Sequence, residues 1–433
     1  MRILIHVRPY SNKFFTSVAR SVFGNGCQID TISEFRGCGD YWEGDFSLNS
    51  KMDSLIEDDL LRDIVSRDRY LRSISKSEAD RIVRRFWNGV EQLFFANQYD
   101  YVLLHPIDCH VQDICERIAR KYGAIPISFV GSFLEGYAKF TLRGEGVVVR
   151  DCVDANEVDS VVSALRSKYY LPPSESKNVT QNRRSAYSYY LRRRLIETLY
   201  NPVLRVLKRD WDNQQYGTKL VGANRYRDLM PRDYDSLFVA SEEVEFCKNN
   251  IYLPLHYTPE QTTDYFCKHI ARVGYENYIT NIIEKADTDC IFLIKEHPAM
   301  YGKRNIGFYK ELRHHRNVRL VHPLSSSNNL LDKVNNVLID NGTVGVEALI
   351  RGKRVLALES NYYSGLHPNL HSISQVDSRV LTVPLRDYPD EQFVESLLKQ
   401  LFPSDLVADK NMNSCDPQKV SNALRGFLAR YGS

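Results

Sequence analysis

Two stretches decide the fold: CIFLIKEHP (Cys290–Pro298) and NNVLIDNGTVGVEALIRGKRVLAL (Asn335–Leu358). Each is an apolar strand that runs into a polar cluster, and a helix follows the second cluster. That order places His297 and a helix start on one edge of a parallel sheet. In open α/β sheets ligands bind outside the carboxyl ends of the strands, and free N–H groups at a helix start attract phosphate. The expected cargo is therefore a nucleotide or another phosphorylated donor.

Working outward, the same alternation recurs on both sides. The N-terminal part reads as RILIHV, a helix from about Asn12 to Phe23, a long charged helix near Ala79 to Asn97, YDYVLLH, DICERIARKYG and IPISFVG. This is βα repetition with right-handed crossovers, hence a Rossmann-like sheet. The acidic, polar stretch from Gly37 to Leu71 is expected to form loops and helices over that sheet. Strands resume with SLFVA, NIYLPLHY, CIFLIKE, VRLVHPL, NVLID and RVLAL, separated by helices such as TTDYFCKHIARVGYENYITNIIEKA. The expected fold class is α/β, with two Rossmann-like domains facing across a cleft: 1–153, a helical basic linker over 154–232, and 233–433. A length of 433 residues suits such a division, since a single core rarely grows beyond roughly 250–300 residues.

His297 stands at a strand end that Pro298 closes, where it can donate to a phosphate as charge develops. The plainer alternative is a loop histidine satisfied by a carbonyl. In Asp340-Asn341-Gly342-Thr343 the glycine lets backbone approach a ligand, and Glu347, one turn into the helix, can accept hydrogen bonds from a ribose. Most Gly-Thr turns, however, are only caps. His256 and Glu260 in LPLHYTPEQTT again follow a strand and precede a helix, although Thr258-Pro259-Glu260 also reads as an ordinary helix start. In the N-terminal half the corresponding place is Glu135 in FVGSFLEGYAKF, a carboxylate suited to act as base for an acceptor hydroxyl; charged loop residues are also simply common on surfaces. Asp287-Thr288-Asp289 and Asp233-Tyr234-Asp235 imitate metal-holding aspartate pairs but precede strands, on the opposite edge. Neither an essential metal nor a cofactor is expected. His105, Cys109, His110 and Cys115 lack a paired zinc spacing.

Bulk numbers narrow the class. A formal charge of +3 is too small to imply nucleic acid. The nine cysteines are scattered and form no CxxC pair, which fits a reducing compartment. Met1 leads directly into RILIHV and no run reaches the ~18 apolar residues of a membrane span, so a cytoplasmic location is expected. The segment NRRSAYSYYLRRRLIETLYNPVLRVLKRDW, from Asn182, interleaves arginine with tyrosine. It suits either an interdomain helix or a peripheral contact with an anionic membrane surface.

With these residues in place, the chain resembles bacterial capsule polysaccharide synthesis glycosyltransferases, the group that includes the β-Kdo transferases. The likeness lies in YLPLHYTPEQTT, IKEHP and DNGTVGVEALIRGKRVLALESNYY, about Ile251 to Tyr363. It implies a GT-B fold and a sugar-nucleotide donor, often CMP-linked as in CMP-Kdo. His297 matches the histidine that contacts the donor phosphate, and Thr343 matches the small hydroxyl residue of the second motif. Glu135-Gly136 is similar to an acidic-acidic-glycine motif that supplies the base, with Leu134 in place of the first acid. The expected activity is an inverting, metal-independent transfer to a saccharide or glycolipid acceptor, with Lys295, His256, Glu260, Asn341, Gly342, Thr343 and Glu347 binding the donor. Two alternatives stand beside it: a CDP-glycerol-type polyol phosphotransferase, and a catalytically silent scaffold of a capsule assembly complex.

Overall fold

In the computed structural model the described residues are 1–46, 56–167, 170, 234–268, 270–302, 304–406, 412 and 415–431, with a few single positions between 188 and 207. The basic segment and most of the expected linker therefore lie outside the described residues.

Two sheets organise the chain. The first has the order β13-β6-β5-β4-β1-β2-β3, built from β1 (Arg2–His6), β2 (Gln28–Ser33), β3 (Tyr41–Trp42), β4 (Tyr101–Leu104), β5 (Ile125–Gly131), β6 (Tyr137–Phe140) and β13 (Leu401–Pro403). Its β1–β5 core is parallel, with Ile3 opposite Ile29 and Tyr101. The second has the order β12-β11-β10-β7-β8-β9 and is parallel throughout. It uses β7 (Asn250–Pro254), β8 (Ile291–Lys295), β9 (Val318–Val321), β10 (Asn336–Ile339), β11 (Arg354–Ala357) and β12 (Leu370–Ser372). Strands covered by helices on both faces need continuous apolar runs. Accordingly Ile3, Leu4 and Ile5 of β1 and Val337 and Leu338 of β10 are fully buried. This is an α/β fold of two Rossmann-like sheets, the GT-B arrangement.

The two halves exchange elements. Leu401–Pro403 pairs antiparallel with β6, and the helix Pro417–Tyr431 covers the helix Asn12–Phe23 through Val420, Leu424 and Phe427. Conversely Val158, Val161, Val162 and Leu165 of the helix Ala155–Arg166 join the core beneath β10 and β11. The final strand and helix thus bury their apolar faces in the N-terminal core.

Other local expectations are corrected. SLFVA forms a 3-10 turn over Tyr234–Leu237 and a single bridge, Val239 with Val321, since it touches only the outer edge of β9. TTDYFCKHIARVGYENYITNIIEKA is broken into a short helix Gln261–Asp264, a 3-10 turn Ile270–Val273 and a helix Tyr275–Lys285. The break brings the Arg272 guanidinium, almost wholly buried, onto Asp340 and within 3.4 Å of Glu359. Within 37–71 the acidic stretch adds a short parallel strand, β3, beside β2.

Candidate active site

The strand order marks where a ligand belongs. In the second sheet the chain runs outward from β7 to β8 and β9, then restarts on the other side at β10, so the crevice between β7 and β10 is the topological switch point. Ligands in open α/β sheets bind outside the carboxyl ends of strands at such a point. His256 follows β7, His297 follows β8 and Asn341–Thr343 follow β10, on three adjacent strands. The structure thus brings together the motifs that the sequence set forty to ninety residues apart.

His256 spans the switch. The Asn341 N–H donates to His256 Nε2 at 3.2 Å, and the His256 N–H donates to the Tyr275 hydroxyl at 2.9 Å. Burial, with His297, Arg272 and Arg304 close by, pushes the His256 ring down to about 3. It is therefore a neutral acceptor at physiological pH, and an acceptor is what the Asn341 amide needs. Gly342 sits so near that an added Cβ would lie 3.7 Å from His256 Cε1, and the Gly342 carbonyl accepts from the Tyr363 hydroxyl at 2.7 Å. The loop is held from both sides at the strand end.

Beneath it lies a buried ionic brace. Arg304 Nε donates to Glu296 at 2.5 Å, its other nitrogens donate to the His256 carbonyl at 2.6 Å and to Thr258 Oγ1 at 2.9 Å, and Tyr309 donates to Glu296 at 2.5 Å. Both charged side chains are fully buried, so neither is stable without the other. The Glu296 carboxylate also accepts the His297 N–H at 2.7 Å, fixing the backbone that carries His297. The His297 ring meets Tyr257 edge-on, with centroids 5.9 Å apart.

The remaining expected donor residues divide. Glu347 is buried on the helix Val344–Ile350 that Thr343 begins. Glu260 caps the helix Gln261–Asp264 and accepts from Thr262 Oγ1 at 2.8 Å, the ordinary helix-start use of that residue. Lys295, the last residue of β8, is buried. Arg304, Arg272 and Tyr363 carry as much of the geometry as any expected residue. Sequence reasoning missed them, because an isolated arginine in a polar loop gives no signal of its partners.

The N-terminal sheet has its own switch, between β1 and β4. There Arg8 donates to Glu34 at 2.6 Å and to both oxygens of Asp108 at 2.9 and 2.6 Å, while His6 meets Glu34 at 2.7 Å. Burial would raise the Glu34 and Asp108 carboxyls, but the Arg8 guanidinium holds both below the usual range. The His105 ring is driven well below its ordinary value by burial and by Arg8, and it shares a 2.8 Å hydrogen bond with Ser11. Glu135 stands one strand further along, exposed in the turn between β5 and β6, where Gly136 takes φ +81°. Its neighbours reach the other half: Leu134 is buried in that core and Phe133 lies 6.0 Å from Tyr362. Tyr362 is followed by Tyr363, which holds Gly342, so the Glu135 turn and the Gly342 loop share one packed link.

A joint ties the halves nearby. Arg67 donates to the Asp264 and Cys267 carbonyls at 3.1 and 2.9 Å, Arg69 and Arg72 pair with the Asp264 carboxylate at 2.6 and 3.1 Å, and Tyr265 donates to Asp68 at 3.2 Å.

Fold and site together define a two-domain α/β protein of GT-B type with a strand-end crevice in each half. Residues 264–402, which span His297 and the Asp340–Thr343 loop, match the family model described as capsule polysaccharide biosynthesis protein. Among solved structures, the chain is similar to KpsC, the beta Kdo 2,7 transferase of Thermosulfurimonas dismutans, at 10% identity and TM-score 0.35, covering 99% of each chain. It is also similar to the beta Kdo 2,4 transferase of that organism, at 13% and TM-score 0.34, over 75% of this chain and 87% of that one. A third is the UDP-GlcNAc 2-epimerase of Methanocaldococcus jannaschii, at 11% and TM-score 0.22, over 99% and 98%. Such low scores leave the fold assignment to the two sheets themselves. No curated protein matches.

Proposed function

We infer that the protein is a glycosyltransferase of surface-polysaccharide synthesis that takes its sugar from a nucleotide-sugar donor, CMP-Kdo or a related CMP-sugar, by an inverting, metal-independent displacement. The observation that carries this reading is the convergence of His256, His297 and the Asn341–Thr343 loop at the β7/β10 switch. The loop amides and His297 receive the donor phosphate, and Glu347 the ribose. The acceptor, a saccharide or glycolipid, enters from the N-terminal half. Its hydroxyl oxygen attacks the anomeric carbon and its proton passes to Glu135. The bond from that carbon to the phosphate oxygen breaks, and the nucleotide leaves with the electron pair, stabilised where His297 and the amides meet it.

Thermal shift against CMP, CDP, UDP and GDP tests the site, since a ligand at 100 times its Kd stabilises the fold by about 2.7 kcal/mol. CMP is expected to raise Tm in the native chain and not in His297→Ala. No shift with any nucleotide, or an equal shift in the variant, would sink the reading. Product analysis then separates a glycosidic bond from the phosphodiester that a polyol phosphotransferase would make.

Among the described residues no helix is long and apolar enough to cross a membrane. The basic aromatic segment remains our candidate for a peripheral contact with an anionic surface.

A further inference from the structure

The N-terminal half carries a groove that the proposed transfer does not use. It lies between the helix Asn12–Phe23 and the turn after β2, and Lys13, Arg20 and Arg36 line it with Thr16 and Ser17. Its walls are tied together, because Asn12 Nδ2 donates to the Cys38 carbonyl at 3.0 Å. Lys13, Ser17 and Arg20 are exposed on one helix face. At ~1.5 Å rise per residue, the two cations stand about 10 Å apart along it.

The charge of this groove is one-sided. Among the described residues no carboxylate lines it. The acids of the adjoining segment are engaged elsewhere: Glu34 with His6 and Arg8, and Asp40 with the N–H and hydroxyl of Thr31. Lys13 moreover sits in the first turn of its helix, which contains no acid, where the helix dipole disfavours a cation. Three cations converge here, one of them, Lys13, at a cost to the helix, in a chain whose formal charge is only +3. A placement that works against local stability points to a ligand. The groove begins at Pro9, next to Arg8 at the β1/β4 switch.

Resting on the glycosyltransferase reading, we propose that this groove holds the extended part of an anionic saccharide acceptor, carrying carboxylates or phosphates along its chain, while the reacting end runs on past the switch toward Glu135. The interleaved hydroxyls of Thr16 and Ser17 on a concave wall fit a glycan better than a lipid headgroup layer.

The test uses the full chain without donor. Fluorescently labelled octagalacturonate and a neutral maltooligosaccharide of equal length are titrated into the native protein and into a variant combining Lys13→Ser, Arg20→Ser and Arg36→Ser. All three positions are exposed, and matching thermal unfolding confirms the fold. The charged oligomer is expected to bind, to weaken as salt shortens the Debye length from about 10 Å at 0.1 M to about 3 Å at 1 M, and to lose tenfold or more in the variant. Equal binding of the neutral oligomer, or unchanged affinity in the variant, overturns the proposal. So does retention on phosphatidylglycerol vesicles through the same three residues without oligomer binding, which would make the groove a membrane contact. Because no donor is present, a failure of sugar transfer with this binding intact would sink the catalytic reading and not the groove.

Discussion

Replacing His256 with alanine removes the acceptor that holds the Asn341 amide across the β7/β10 switch. The amide would be left without its partner at a half-buried position, which costs about 1–3 kcal/mol. If the loop is the phosphate-binding element, most of that energy is needed again to order it around a donor. At about 1.4 kcal/mol per tenfold, nucleotide affinity should then fall roughly five- to a hundredfold. His256→Gln, whose side-chain oxygen can accept the same N–H, should recover part of the loss. Isothermal titration of CMP into the three proteins reads the effect. The ring also makes a pH prediction. Its folded value of about 3 lies below the ordinary histidine range, so as pH falls the unfolded chain takes up this proton first. The stabilisation is complete above about pH 6.5 and is lost progressively from there toward about pH 3. Because the ring is partly open to solvent, the total is put at about 1–2 kcal/mol, well short of a full burial effect. An NMR titration placing the His256 ring near 6.5, or His256→Ala binding CMP as the native chain does, would refute the assignment of a neutral acceptor.

Glu296→Gln breaks a fully buried pair and leaves Arg304 only the half-exposed Glu276, 3.7 Å away, so chemical denaturation should show a loss toward the lower end of about 3–5 kcal/mol; a loss under about 1 kcal/mol would mean that the brace is not formed. Glu135→Gln keeps the shape of the side chain but not its basicity, and kcat should fall roughly 10² to 10⁴ fold with CMP affinity unchanged. Full turnover in that variant would move the base elsewhere, with Asp108 at the β1/β4 switch the next residue to replace. Activity should survive exhaustive EDTA, since Asp287 lies before β8, away from the crevice, and accepts the Ser378 N–H and hydroxyl at 2.7 and 2.6 Å; restoration only by added magnesium or manganese would contradict this.

How much of the site was legible follows from what each residue's role depends on. The edge position of His297 depends on its own strand and the proline after it, so CIFLIKEHP alone conveys it. In a parallel sheet all strands end on one edge, so αβ repetition lets the shared edge of His256, His297 and Gly342 be anticipated, whereas the return of β10 to the side of β7 is not written in the local sequence. Arg304 is different: it acts through Glu296, Thr258 and the His256 carbonyl, contacts made between separate strand ends, and no local period or spacing encodes them. The same holds for the returning strand Leu401–Pro403. Its three residues read like a loop, and only the unfilled edge of β6 makes them a strand. The exchange of the helices Ala155–Arg166 and Pro417–Tyr431 between the halves follows that logic, each amphipathic face finding apolar surface that the local sequence does not announce. These crossings also constrain the chemistry. Two halves that share helices, a strand and the Asp264 joint cannot drift freely, so the distance from the Glu135 turn to the Gly342 loop is set by packed contacts such as Phe133 on Tyr362, and in the transfer we propose a donor at one edge would meet an acceptor from the other at a defined separation.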